Sequence, residues 1–159
     1  MSFSHCYCYF AIKGDFNPKE ITYKLQIKPS KYWSIGDLRA NGSRYGFAFW
    51  ETGYTLMQHP DIEIHCINVV RELIGKECVL NKIKGSYDLT FTVQIVPSIY
   101  NGVSPVIIFG KEFLTFCAQT DTDIDIDMYV FPFNDPEADS QTERTTDHKE
   151  GDVQNFKEI

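Results

Sequence analysis

Four aspartates, Asp121, Asp123, Asp125 and Asp127, alternate with Thr122, Ile124, Ile126 and Met128 within residues 120–131. A period of two marks a β-strand with one buried face, and it sets the carboxylates on one side at intervals of about 7 Å. At that spacing two exposed carboxylates repel by only about 0.6 kcal/mol in water, a cost that a cationic partner would relieve. Carboxylates also bind Mg²⁺ and Ca²⁺, but side chains about 7 Å apart cannot all reach one ion whose ligands sit at about 2.1–2.5 Å. No lysine stands in a nuclease-like arrangement beside them. The run therefore reads either as a solvated strand face or as a protein-binding surface in which Asp121, Asp123, Asp125, Asp127 and the adjoining Tyr129 meet a basic partner.

A second concentration of reactive shapes is aromatic. Trp33 and Trp50 lie near Tyr32, Tyr45 and Tyr54 in sequence, with Arg39 and Arg44 on the flanks. Such residues pack cores and sheet edges, and they also anchor interfaces. Trp33, Trp50 and Tyr54 are thus candidate apolar anchors for a partner, and Trp33, Trp50, Arg39 and Arg44 are the candidate lining of a small-ligand pocket. Cys6 and Cys8 form a C-x-C pair that would need Cys66 and His65 to complete a zinc site. On a strand, however, positions i and i+2 share a side that Phe10 continues, which favours buried core thiols. His5, His59, His65 and His148 show no ligand spacing. Gly102-Val103-Ser104-Pro105 lacks the second glycine of a nucleophile elbow, and Gly14, Gly36, Gly42, Gly46 and Gly53 are dispersed. The expectation is a non-enzymatic chain without catalytic residues, metal or cofactor.

The chain has 159 residues and a formal net charge of −7. Residues 134–159 hold eight acidic and three basic side chains, or −5; residues 1–133 hold fourteen and twelve, or −2. A nucleic-acid surface needs a basic stripe, and the scattered Lys24, Lys28 and Lys31 do not make one. Five cysteines without framework spacing, no leader-like N-terminus and no apolar run of membrane-spanning length point to a reduced, cytoplasmic chain that stays out of the bilayer. The expected organisation is one α+β domain over residues 1–133, followed by a flexible acidic tail over 134–159 that is too polar to offset its ordering entropy.

The elements that must position these groups follow from periodicity. Residues 5–12 read as a first strand closed by Gly14. Asn17, Pro18 and Glu20 supply an N-cap, a first helical residue and a capping box, with Phe16 and Ile21 as a hydrophobic staple. Pro29 should end that helix near Ile27. Residues 44–51 alternate as a second strand, with Tyr45, Phe47 and Phe49 on one face and Trp50 on the other. Ile62, Cys66, Val69, Val70 and Leu73 follow one helical face; Gly75 interrupts it, and a further helix stops at Gly85. Residues 87–95 are the cleanest half-buried strand. Residues 97–105 read as a loop, 106–109 as a short extended piece, and 111–119 as a helix leading into the aspartate strand. Four good strands with helices between them predict a two-layer sandwich, a mostly antiparallel sheet covered by helices on one face, in a ferredoxin-like order.

The order of motifs resembles a bacterial family known as domain of unknown function 4279. The resemblance rests on Tyr9-Phe10-Ala11-Ile12-Lys13-Gly14-Asp15, Asn17-Pro18-Lys19-Glu20-Ile21-Thr22, Ile27-Lys28-Pro29, Trp33-Ser34-Ile35-Gly36-Asp37 and Trp50. The closing strand Ile124-Asp125-Ile126-Asp127-Met128-Tyr129 also matches, so the likeness extends over residues 4–130. Gln26 stands where the family often has glycine, and Asp121 and Asp123 exceed the family's acidic pattern. The resemblance implies a fold and no catalytic residues. Some members lie beside secreted toxins, which implies an immunity role: a cytoplasmic protein that blocks a cognate toxin domain, such as a basic nuclease.

Overall fold

Cys6, Cys8, Phe10 and Ile12 are wholly buried, while the residues between them face the other way. That stripe belongs to β1 (His5–Gly14), the axis of the sheet. The computed structural model describes residues 4–58, 62–102 and 105–132; the acidic segment 134–159 lies outside the described residues. β1 pairs antiparallel with β3 (Ala48–Met57) on one side and with β4 (Leu89–Ile99) on the other. β2 (Lys31–Trp33) adds antiparallel to β3. The resulting order, β2-β3-β1-β4, is the split β-α-β arrangement expected from the sequence. A fifth strand, β5 (Thr122–Ile126), and the short β6 (Tyr129–Val130) pair with β4 in parallel, so the sheet is mixed. A parallel neighbour requires a crossover, and α4 (Lys111–Thr120) lies on it.

The other helices are α1 (Pro18–Leu25), α2 (Ile62–Val70) and α3 (Glu77–Ser86). In α1 the Asn17 side chain accepts from Lys19 N–H at 3.0 Å, as an N-cap should. Glu20 does not close the capping box. It pairs with Lys24 at 2.6 Å and accepts from the Tyr87 hydroxyl at 2.8 Å, tying α1 to the segment after α3. The helix stops at Leu25 because Gln26 turns left-handed at φ 55° and donates its N–H to Thr22 O. Gly75 separates α2 from α3, with φ +89°, and Glu77 accepts its N–H at 3.0 Å. Gly85, expected as the stop, lies inside α3. All four described helices bury their apolar faces with Cys6, Cys8, Phe10, Trp50, Phe91 and Val93 in one continuous core. Trp50 donates its indole N–H to Thr22 Oγ1 at 2.9 Å, joining β3 to α1.

Two strands extend further than the alternation predicts. β4 runs through Pro97 to Ile99, where a loop was expected to begin. Ile95 accepts from Asp127 N–H and Ile99 from Phe131 N–H, both at 2.9 Å, so the rung between them would need an N–H at Pro97. Proline has none, and this is where β5 gives way to β6. β3 starts at Ala48 rather than at residue 44 and continues to Met57 through a bulge: Thr52 faces Phe10 and Thr55 faces Cys8, leaving Gly53 and Tyr54 opposite Tyr9. Gly53 occupies the left-handed region at φ +69°, the conformation that a glycine bulge uses. The extra residue keeps Thr55 on the helix side, where its hydroxyl meets His65 Nδ1 at 2.7 Å. It also sets Tyr54 on the opposite side, its ring 6.0 Å from that of Tyr7.

Candidate functional site

The described helices all cover the same face of the sheet. At the β2 end of the other face, the chain from Ser34 to Phe47 folds back into its own small aromatic core. Trp33 is sandwiched between Tyr45 and Phe49, with ring centroids 4.2 Å away on either side, and donates its indole N–H to Phe47 O at 3.0 Å. Arg39 caps the stack over Tyr45 at 4.5 Å. Hydrogen bonds from Gly36 N–H to Tyr45 O and from Tyr45 N–H to Asp37 O, at 2.9 and 3.0 Å, pin the loop down.

The remainder of this face is arranged in rows that cross the strands. Glu51, Ala11, Thr92 and Asp123 form one; Tyr9, Gln94 and Asp125 form the next; Leu56, Tyr7 and Val96 form a third, beside which Asp127 continues the edge. Neighbouring strands are about 4.8 Å apart, so the aspartates of β5 stand one strand removed from a ridge made by Tyr9, Tyr7 and Tyr54. Tyr7 stacks nearly parallel to Tyr9 at 6.4 Å, and Tyr9 meets Phe49 edge-on at the same distance. Asp123, Asp125 and Asp127 are exposed. Tyr129 donates its hydroxyl to Asp127 at 2.9 Å.

The ridge and the acidic strand are electrostatically one patch. Burial first, and then the carboxylates of Glu51, Asp125 and Asp127, push the Tyr9 phenol well above its ordinary 10.0. Burial, then Tyr9, Tyr129, Tyr54 and Asp127, do the same to Tyr7. The folded chain therefore keeps these protons after the unfolded chain has begun to lose them. Stability from this source is intact below about pH 10 and is lost as pH rises from there towards the folded-state values. Unfolding free energies measured by urea between about pH 9 and pH 11 are expected to fall, and to fall less steeply in Tyr9→Phe; an unchanged slope would mean that folding does not raise the Tyr9 phenol.

The family model described as Domain of unknown function (DUF4279) matches residues 4–131. This chain belongs to that family. The match spans the whole described sheet and helix layer of the DUF4279 chain. No curated protein and no solved structure matches it.

The DUF4279 fold brings together only part of the residues singled out from the sequence. Asp123, Asp125, Asp127, Tyr129 and Tyr54 lie exposed on or beside the open face. Asp121 does not join the ladder, because the helix before it runs through Thr120 and Asp121 caps it in a left-handed conformation at φ 50°. Its carboxylate accepts from Lys84 at 2.7 Å, and that contact holds its pKa below the usual carboxylate range. Trp33 is on the open face but buried between its neighbours, with 9% of its surface exposed. Trp50 is on the opposite face with none exposed, so it can anchor nothing. With the two tryptophans on opposite sides of the sheet, the pocket of Trp33, Trp50, Arg39 and Arg44 does not form. Arg44 instead donates to Gly36 O at 2.6 Å, inside the loop.

Cys6 and Cys8 lie in the core with sulfurs 3.8 Å apart. Burial pushes the Cys66 thiol up to about 12 and the Cys117 thiol to about 11, values at which neither is a nucleophile near neutrality. Among the described residues, no three His, Cys, Asp or Glu side chains are placed to share a metal ion. No described helix is long and apolar enough to cross a membrane. Tyr7, Tyr9 and Leu56 are the members of the patch that sequence reasoning missed. The signal for the first two was present, since they alternate with the buried Cys6, Cys8 and Phe10.

Proposed function

We propose that this DUF4279 chain is a non-enzymatic, cytoplasmic protein-binding domain, an immunity protein that neutralises a cognate toxin domain by covering a basic surface with the open face of its sheet. The observation that carries this reading is the placement of Asp123, Asp125 and Asp127 on the sheet face that no described helix covers, one strand away from the Tyr9–Tyr7–Tyr54 ridge. Carboxylates at the rim steer a cationic partner and set its register, while an aromatic ridge, partly buried at Tyr7 and Tyr9 and exposed at Tyr54, supplies rigid apolar contact. A toxin whose cleft is lined with Lys and Arg, as in a nuclease, matches both features.

The test uses the full chain as bait in extracts of its native organism at low and high salt, where the screening length falls from about 10 Å at 0.1 M to about 3 Å at 1 M. One basic protein domain should be retained at low salt and released at high salt. The triple variant Asp123→Asn, Asp125→Asn, Asp127→Asn should lower its affinity by about tenfold or more while leaving the fold intact, because all three side chains are exposed. Undiminished retention by the triple variant would remove the acidic strand from the binding surface. Trp50→Phe, on the helix side, should leave capture unchanged.

A further inference from the structure

The second edge of the sheet is incomplete. β2 covers β3 only from Phe49 to Glu51, and the last backbone bond on that side runs from Ser30 N–H to Glu51 O at 2.8 Å. From Thr52 to Met57 the outer edge of β3 has no partner strand among the described residues. Alongside its first part, from Thr52 to Thr55, lies a groove of about 480 Å³. Lys28 and Ser30 border it from the segment before β2, Asn68 from α2, Arg71 and Glu72 from the turn after α2, and Tyr54 from β3 itself.

We propose that this groove binds an extended peptide segment of alternating acidic and apolar residues, which adds to the sheet as a strand beside residues 52–57. The site lies at the sheet edge opposite the aspartates and shares Tyr54 and Leu56 with the open face, and it does not depend on the reading given above. An unpaired strand edge offers backbone donors and acceptors to an incoming strand, and pockets beside it select alternate side chains. On the open face, alternate side chains of the added strand would meet Tyr54 and Leu56, whose exposures are 48% and 60%. On the helix side they would meet Lys28 and Arg71, neither of which makes an ion pair with a described residue. Two cations against the single Glu72 make this lining positive on a chain of net charge −7. Acidic side chains on an incoming strand would complement that excess of positive charge.

The probe is a capped hexapeptide alternating glutamate and valine, titrated into the full chain while amide hydrogen exchange is followed residue by residue. Saturating peptide should slow exchange by about tenfold or more at those amides of residues 53–57 that point away from β1. Affinity should drop by a similar factor in Lys28→Glu/Arg71→Glu, in the milder Lys28→Gln/Arg71→Gln, and for a peptide N-methylated at alternate residues, which keeps the charges but loses the strand donors. A lysine–valine peptide should not bind. The proposal is overturned by equal binding of the N-methylated peptide, by unchanged affinity in both double variants, or by no binding up to about 1 mM peptide. It is overturned as well if the chain sediments as a dimer that Arg71→Glu dissociates, because the edge would then belong to a second copy.

Discussion

Trp50→Ala is expected to cost about 3–5 kcal/mol of folding stability, the largest effect of any single substitution considered. The indole is wholly buried in the layer between sheet and helices, and truncation leaves a cavity that β3 and α1 can close only by moving together. The substitution also removes a donor. Trp50 Nε1–H donates to Thr22 Oγ1, whose own hydroxyl donates to Pro18 O at 3.1 Å, so the first turn of α1 is tied to the sheet through one hydroxyl. Trp50→Phe keeps most of the volume and loses the donor, and should cost roughly 1–3 kcal/mol. Chemical denaturation of both variants checks the order. A cost for Trp50→Ala no larger than that of an exposed aromatic such as Tyr54→Ala would mean that the indole is not part of the core.

Gly53→Ala is the second large effect, about 2–5 kcal/mol from a left-handed backbone and forced overpacking together. A Cβ at this position would overlap the carbonyl oxygen of Val69 and stand 2.9 Å from Val69 C and Cα, so the end of α2 would have to withdraw from β3. Gly42 is the control. It also has a positive φ, +80°, but a Cβ there meets nothing within 4 Å. Gly42→Ala should therefore show the backbone cost alone, about 1–2 kcal/mol. The difference between the two variants measures how closely helix and bulge approach, and equal costs would show that α2 yields freely.

The bulge also explains what could and could not be read from the sequence. Strands whose faces differ in polarity declare themselves: Leu89 to Ile95 alternates, and Cys6 to Ile12 carries the core. The split β-α-β order follows from where helices interrupt such strands. Past Glu51 the alternation breaks at Gly53, because one extra residue shifts every later side chain to the other face. Tyr54 and Leu56 were consequently not placed beside Tyr7. Pro97 looks like a strand end but sits at the one rung where a missing N–H is tolerated. Asp121 looks like the first rung of the acidic ladder, yet the preceding helix needs a left-handed cap, and an aspartate can supply it. Trp33 and Trp50 could be assigned to opposite faces only once the pairing of β2 with β3 was known. Periodicity is local information, and the assembly of the patch depends on register between strands distant in sequence.

Among the described strands β5 pairs with β4 alone, and in parallel, so the four antiparallel strands can assemble before it arrives. Parallel pairing waits for its crossover helix to be in place, and contacts of that kind form late. The α4–β5 unit is thus expected to dock last onto a largely built layer, bringing aspartates that repel one another by about 0.6 kcal/mol per neighbouring pair. Salt relieves that repulsion and so hastens the final folding phase, while the same ions weaken attraction for a cationic partner. One strip of charge therefore makes the completion of the fold and the capture of its target respond to ionic strength in opposite directions.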